Sequence, residues 1–253
     1  GLAGAVTVNQ INDVAMAFVL NQSDVTTNGS ATISANDNSQ IVAVAGAVAY
    51  GGKALGLGAS VAVDLIDNQI QSGILDSDIS TSDVLILNAI SNPNIVSVAV
   101  AIAIAKGEMA PAISVAVTII DDETGVLVSG QKADGITSVG DVTISASDDP
   151  DITAVAGSVG VSTKGLGVGL SVAYNEIDTS VTAAIDGTDV RVINGNLILD
   201  AEQTSVIISI AAGGGFANKA AGAGSASANT IYTTTSATID GTVDITADGS
   251  VIV

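Results

Sequence analysis

The chain has 253 residues, 6 Lys and Arg against 26 Asp and Glu, a formal net charge of −20, and no His, Cys or Trp. Without imidazole or thiol there is no zinc centre of the usual kind, no Ser–His dyad, no thiol nucleophile and no iron–sulfur cluster. The charge also excludes a nucleic-acid surface, because phosphate binding needs a basic face.

The remaining composition points to strands and turns. Hydrophobic residues make up 47% of the chain but aromatic residues only 2%, and Gly contributes 28 positions. The apolar residues are mainly Val, Ile and Ala, and 22 of the acids are Asp against 4 Glu. Val and Ile favour strands, whereas Asp favours turns. With so few rings to fill a wide core, burial must come from small side chains packed closely, in a thin repetitive interior. The most apolar run, Val96 to Ala105, is about half the roughly 20 residues of a membrane-spanning helix. It alternates like a strand, so no membrane insertion is expected. No basic region precedes an apolar one at the start, so no signal peptide is read there.

Taken in chain order, the sequence repeats. A first element, GLAGAVTVNQIND from Gly1, returns as GLGASVAVDLIDN from Gly56, APAISVAVTIIDDE from Ala110, GVGLSVAYNEIDT from Gly167 and AGAGSASANTIYT from Ala221. Its anchor residues Ile11, Ile66, Ile120, Ile177 and Ile231 are 55, 54, 57 and 54 residues apart. A second element ends at Ala35, Ala89, Ala146, Ala201 and Ala247. A third reads IVAVAGAVA from Ile41, IVSVAVAIA from Ile95, ITAVAGSVG from Ile152 and VIISIAAGG from Val206. The turns that follow it carry Lys53, Lys106, Lys164 and Lys219. Asp-Gly pairs at 134, 186, 240 and 248 and Asn-Gly pairs at 28 and 194 supply tight turns.

Three elements and a lysine recurring in register predict an all-β protein: a repetitive β-solenoid or parallel β-helix built from about 55-residue repeats. The chain is read as a single elongated repeat domain over residues 1–253, with units of roughly 1–55, 56–109, 110–166 and 167–220 and a partial unit 221–253. In the third element the alternation is expected to send Val and Ile inward and Ala toward another layer. Two paths are open. In one, each unit makes three coils of roughly 18 residues, giving roughly 14 coils and a rise of about 65 Å. In the other, the third element and the next first element form an antiparallel hairpin with the lysine turn at its tip. Neither end resembles a polar cap, so the chain is expected either to continue into a longer array or to stack end to end.

The stretches GLGASVAVDLIDNQIQSGI, DVTISASDDPDITAVAGSVG and GLGVGLSVAYNEID resemble the repeats of large secreted bacterial filamentous adhesins, the leukotoxin-like and filamentous-haemagglutinin-like autotransporter passengers. The resemblance extends over four full units and part of a fifth. It implies export to the cell surface or the extracellular space, a β-helical shaft, and a role in adhesion or matrix that includes contact with a host surface. It supplies no catalytic residue.

For chemistry, the acidic clusters Asp148–Asp149–Asp151, Asp121–Asp122–Glu123 and Asp76–Asp78–Asp83 are the candidates. Oxygen-rich turns can bind Ca2+, which takes six to eight oxygens, but no EF-hand loop or glycine-rich nonapeptide is present. Solvated turn aspartates are the expected reading, with structural Ca2+ as the alternative; no catalytic, cofactor-binding or metal-binding residue is assigned. A β-helical polysaccharide-active enzyme would want carboxylates beside a base and aromatics for stacking. Lys132 and Arg191 are the only bases outside the turn series, so no enzyme activity is expected. The lysine row is read as charge that discourages edge pairing. The leading expectation is a structural stalk segment of an extracellular adhesin or filament. The alternative is a fibre subunit polymerising through its ends.

Overall fold

The computed structural model describes residues 1–130 and 135–253. Lys132 and the Asp-Gly pair at 134 therefore fall on or beside positions outside the described residues. All described secondary structure is β, and every described strand pair is parallel. The first repeat forms β1 (Leu2–Leu20), β2 (Asp24–Thr27), β3 (Ala31–Asp37) and β4 (Gln40–Gly51). The second forms β5 (Leu57–Leu75), β6 (Asp78–Thr81), β7 (Leu85–Ser91) and β8 (Asn94–Ala105). The third forms β9 (Met109–Ser129), β10 (Gly135–Ser138), β11 (Val142–Asp148) and β12 (Asp151–Ser162). The fourth forms β13 (Leu166–Asp186), β14 (Asp189–Val192), β15 (Leu197–Gln203) and β16 (Val206–Ala217). The last rung comprises β17 (Ala220–Asp240), β18 (Ile245–Ala247) and β19 (Val251–Ile252).

Equivalent strands stack into four sheets: a long sheet β1-β5-β9-β13-β17, two narrow sheets β2-β6-β10-β14-β18 and β3-β7-β11-β15-β19, and an upper sheet β4-β8-β12-β16. The anchors pair in one unbroken ladder, Ile11 to Ile66, Ile66 to Ile120, Ile120 to Ile177 and Ile177 to Ile231. One rung therefore consumes one whole repeat, which corrects the expectation of three coils per unit. At about 4.8 Å per strand layer, five rungs rise only about 24 Å rather than 65 Å. The hairpin is corrected too. β4 and β5 turn back on each other, but each spends its backbone hydrogen bonds on the neighbouring rung, so they meet face to face as an arch. The third element's register is also shifted by one in the fourth unit, because Ile207 and not Val206 pairs with Ile152.

In cross-section the rung has a broad base and a thin blade. The base lies between the lower half of the long sheet and the two narrow sheets. It is filled by large side chains such as Ile74, Ile79, Leu85, Leu87, Ile144 and Ile185. A ladder of isoleucines, Ile66, Ile120 and Ile177 against Ile41, Ile95 and Ile152, marks the entrance to the blade. Beyond it, the upper half of the long sheet faces the upper sheet across small side chains and a few buried polar ones, with an alanine layer of Ala62, Ala116 and Ala173 against Ala45, Ala99 and Ala156. The expected orientation of the third element is therefore reversed: Ala43, Ala45, Ala47 and Ala49 are buried, whereas Val44 and Val48 are each 67% exposed. The close contact that small residues permit is made inside the rung, with the opposite sheet, so the valines are left pointing out.

Toward the tip even β-carbons become too large. A Cβ at Gly169 would lie 2.2 Å from the Gly214 carbonyl oxygen, and one at Gly160 would lie 2.1 Å from that of Ala110. These glycines let two backbones approach more closely than side chains allow.

The corner from the long sheet into the first narrow sheet uses left-handed backbone, with Asn21 at φ 64°, Asp76 at 47°, Gly187 at 67° and Gly241 at 78°. Asn and Asp tolerate this region at some cost, and Gly at none. Asp76→Gly should raise stability by about 0.5–1 kcal/mol, measured as a shift in the denaturant midpoint. A loss of stability would mean that the Asp76 side chain contributes more than its backbone conformation costs.

Candidate functional site

The sheet pleat separates residues that are neighbours in sequence. Of Asp121, Asp122 and Glu123, only Asp122 points inward. Asp121 stacks between Asp67 and Asp178 on the outer face; burial, then the like charges of Asp178, Asp67 and Glu176, push its pKa up. Glu123 accepts hydrogen bonds from Gln69 Nε2 and Gln71 Nε2, each at 3.2 Å. Of Asp148, Asp149 and Asp151, only Asp148 is buried.

Asp122 and Asp148 meet inside the rung, in a polar lane between the base core and the isoleucine ladder. One wall of the lane is the column Asp13, Asn68, Asp122 and Thr179, and the other is Asp37, Ser91 and Asp148. Asn68 Nδ2 donates to Asp37 Oδ2 at 2.8 Å, and Ser91 Oγ donates to Asp122 Oδ2 at 2.7 Å. Asp122 Oδ1 and both carboxyl oxygens of Asp148 have no side-chain hydrogen-bond partner. Burial pushes the Asp122 pKa up to about 6 against the lowering effect of the Ser91 hydroxyl. Burial, then the charges of Asp122 and Asp149, pushes Asp148 up to about 8. A protonated carboxyl is the cheaper occupant of such a place, since an unpaired buried charge costs several kcal/mol.

A second lane runs beyond the isoleucine ladder, where Asn9 Nδ2 donates to Asp64 Oδ1 at 2.7 Å and Asn175 Nδ2 donates to Ser209 Oγ at 2.8 Å.

The third cluster does not converge. Asp76 forms the left-handed corner, Asp78 Oδ1 accepts from the Gly135 backbone N–H at 2.6 Å, and Asp83 Oδ2 accepts from Ser30 Oγ at 2.9 Å. Among the described residues no three acidic side chains converge as a metal-ligating group. Chelator is accordingly expected to leave the thermal midpoint unchanged; a fall on adding EDTA, reversed by Ca2+, would establish a structural ion.

Sequence reading missed one grouping on the outside. Asp24, Asp78, Asp189 and Arg191 line an open groove of about 510 Å³ along the first narrow sheet. The recurrence of Asp at the same repeat phase in positions 24, 78 and 189 was the available signal. The four lysines are all exposed in the turns that leave the upper sheet, with Lys106 one register position before the other three. Lys106 Nζ lies 5.9 Å from the centroid of the Tyr50 ring, a weak cation–π contact.

The other missed feature is an apolar surface. Of the 24 outward positions of the upper sheet 14 are Val or Ile; Val42, Val44 and Val48 on β4, and Ile208 and Ile210 on β16, are all more than half exposed. No protein-family model matches the chain, and no curated protein and no solved structure is significantly similar to it.

Proposed function

We propose that this chain is a structural stalk segment of an extracellular bacterial adhesin or surface filament. The observation that carries the reading is the continuous parallel register. Each repeat adds one rung, and backbone hydrogen bonds run along the stack through all four sheets. Such a stack has no chemistry to perform and gains stiffness with every rung. The acidic outer residues keep it soluble, and no catalytic residue is assigned. Each rung spends some 55 residues on about 4.8 Å of rise, so the segment is broad for its height and offers a wide display surface. The repeat pattern that resembles filamentous adhesins supports the same reading and the cell-surface location, without membrane insertion.

Immunogold labelling of intact source cells with antibody to the chain tests it. Label on surface filaments is the expected result, and label confined to the cytoplasm would overturn the proposal. The second reading is a fibre subunit, favoured by the parallel ladder itself, whose backbone pairing can pass from one copy to the next as it passes from rung to rung. It predicts filaments that lengthen with protein concentration under the electron microscope. The groove beside Arg191 keeps a polysaccharide-active enzyme as a minor alternative. A screen of acidic polysaccharides, with and without Ca2+, should show no cleavage.

A further inference from the structure

We propose that the outer face of the upper sheet is a lateral pairing surface for a second copy of this chain, with the strands of the two copies antiparallel across the contact. This goes beyond the stalk reading and does not depend on it, because it concerns how rungs associate sideways and not what the array is for.

Three observations converge on this face. The first is its lack of charge. β4, β8, β12 and β16 present six outward positions each, and Asp151, at the very start of β12, is the one charged residue among them. In a chain of net charge −20, two copies meeting on this face bring almost no like charge together; the upper half of the long sheet, on the other side of the blade, is also free of charge from Leu2 to Gln10 and from Leu166 to Tyr174. The second is its area. Four strands of 12 residues make a flat patch of roughly 19 Å by 40 Å, about 750 Å². A specific interface buries about 800 Å² on each partner. Its rows of Val and Ile suit the interdigitation by which sheets stack face to face.

The third observation is charge at the two ends of the strands. At the entering end of this sheet the third rung carries exposed Asp149 and Asp151 and the fourth carries exposed Glu202, and the turns leaving it carry Lys53, Lys106, Lys164 and Lys219, with Glu108 the one acid on that side. If two faces met with strands parallel, lysine would lie over lysine and aspartate over aspartate. A two-fold axis running along the stack makes the strands antiparallel and sets the lysine turns of the third and fourth rungs over the partner's acidic entering ends in the same rungs. Lys164 then approaches the partner's Asp149 and Asp151. The same axis keeps the two stacks pointing the same way, so the pairing repeats rung after rung in a longer array. A lipid surface fits less well. Tyr50 and Phe216 are the only aromatics on this face, whereas membrane-facing surfaces carry aromatic belts at the interface.

Sedimentation velocity on the full chain tests the proposal, with Val100→Glu as the variant. Val100 lies near the middle of β8, close to the proposed axis, where two introduced carboxylates would face each other. The expected result is a dimer for the native chain and a monomer for Val100→Glu, with an unchanged circular dichroism spectrum and melting midpoint. Thr143→Glu, on the outer face of β11, should leave the dimer intact. Because the chain has no cysteine, mixing Lys164→Cys with Asp151→Cys reports geometry. Disulfide between the two variants should outrun that between like molecules at least tenfold.

A native chain that stays monomeric at 100 μM would overturn the proposal. So would a dimer that survives Val100→Glu, which would place association at the stack ends, or preferential Lys164→Cys homodimers. Binding to phosphatidylcholine vesicles without dimer formation would assign the face to lipid and equally overturn it.

Discussion

Gly169→Val is expected to lower the stability of the protein by about 3 kcal/mol, while Gly46→Val leaves it nearly unchanged. Both glycines sit inside strands of the blade, β13 and β4. A β-carbon at Gly169 would meet the Gly214 oxygen at 2.2 Å and the Ser158 oxygen at 2.7 Å, both backbone atoms of the facing sheet. Neither atom belongs to a flexible side chain, so relief requires the two sheets to part. Parting them exposes the alanine layer below and breaks the hydroxyl contact between Ser158 and Ser171, whose oxygens are 2.9 Å apart. At Gly46 an added Cβ meets nothing within 4 Å, and Val is the better strand former. Chemical denaturation of the two variants beside the native chain reads the difference. Equal midpoints would show that the sheets are not held as closely as these distances indicate. An intermediate loss for Gly169→Ala is expected, because Ala112 occupies the equivalent place one rung away.

The second large expected effect is a stability that falls as pH rises from about 4 to about 8. The folded-state pKa values of Asp122 and Asp148 lie near 6 and 8, above the ordinary carboxyl value of 3.8. The folded protein therefore holds protons that the unfolded chain releases. Stability from these groups is complete below pH 4 and declines as pH passes through the folded values. Each tenfold difference in proton affinity is worth about 1.4 kcal/mol, so Asp148 alone accounts for roughly 3–5 kcal/mol at pH 8 after relaxation. Release of surface repulsion at low pH acts in the same direction, and a substitution separates the two. Asp148→Ser copies Ser91, its ladder neighbour. It should stabilise the protein at pH 8, change little at pH 4, and flatten the slope between them. If its effect were the same at both pH values, Asp148 would not be the group that titrates.

Much of this architecture was legible from the repeat. Five isoleucines at a steady spacing identified equivalent positions, and the structure pairs those same residues in one ladder. The scarcity of aromatics implied a thin interior, which the blade has and the broad base does not, and the lysines all fall in the turns that leave the upper sheet. The site-level reading was less complete. Asp122 and Asp148 were each visible as members of acidic clusters, but their meeting was not. They are 26 residues apart, on different sheets, and only the closure of the rung brings them face to face. The run SDDPD also looks uniform in sequence, although the pleat buries Asp148 and leaves Asp149 and Asp151 in water.

The chain's own periodicity determined that it would be β, repetitive and thin, because local strand propensity and turn chemistry depend on residues close in sequence. Only the tertiary structure decided how many coils a repeat makes and which way its strands face. A two-residue alternation of Val and Ala is satisfied equally by either orientation, and both residues are apolar, so hydrophobicity alone does not choose. The choice falls to the opposing sheet. Its alanines and glycines bring the backbones so near that only small side chains fit between them, and the valines are left on the outside.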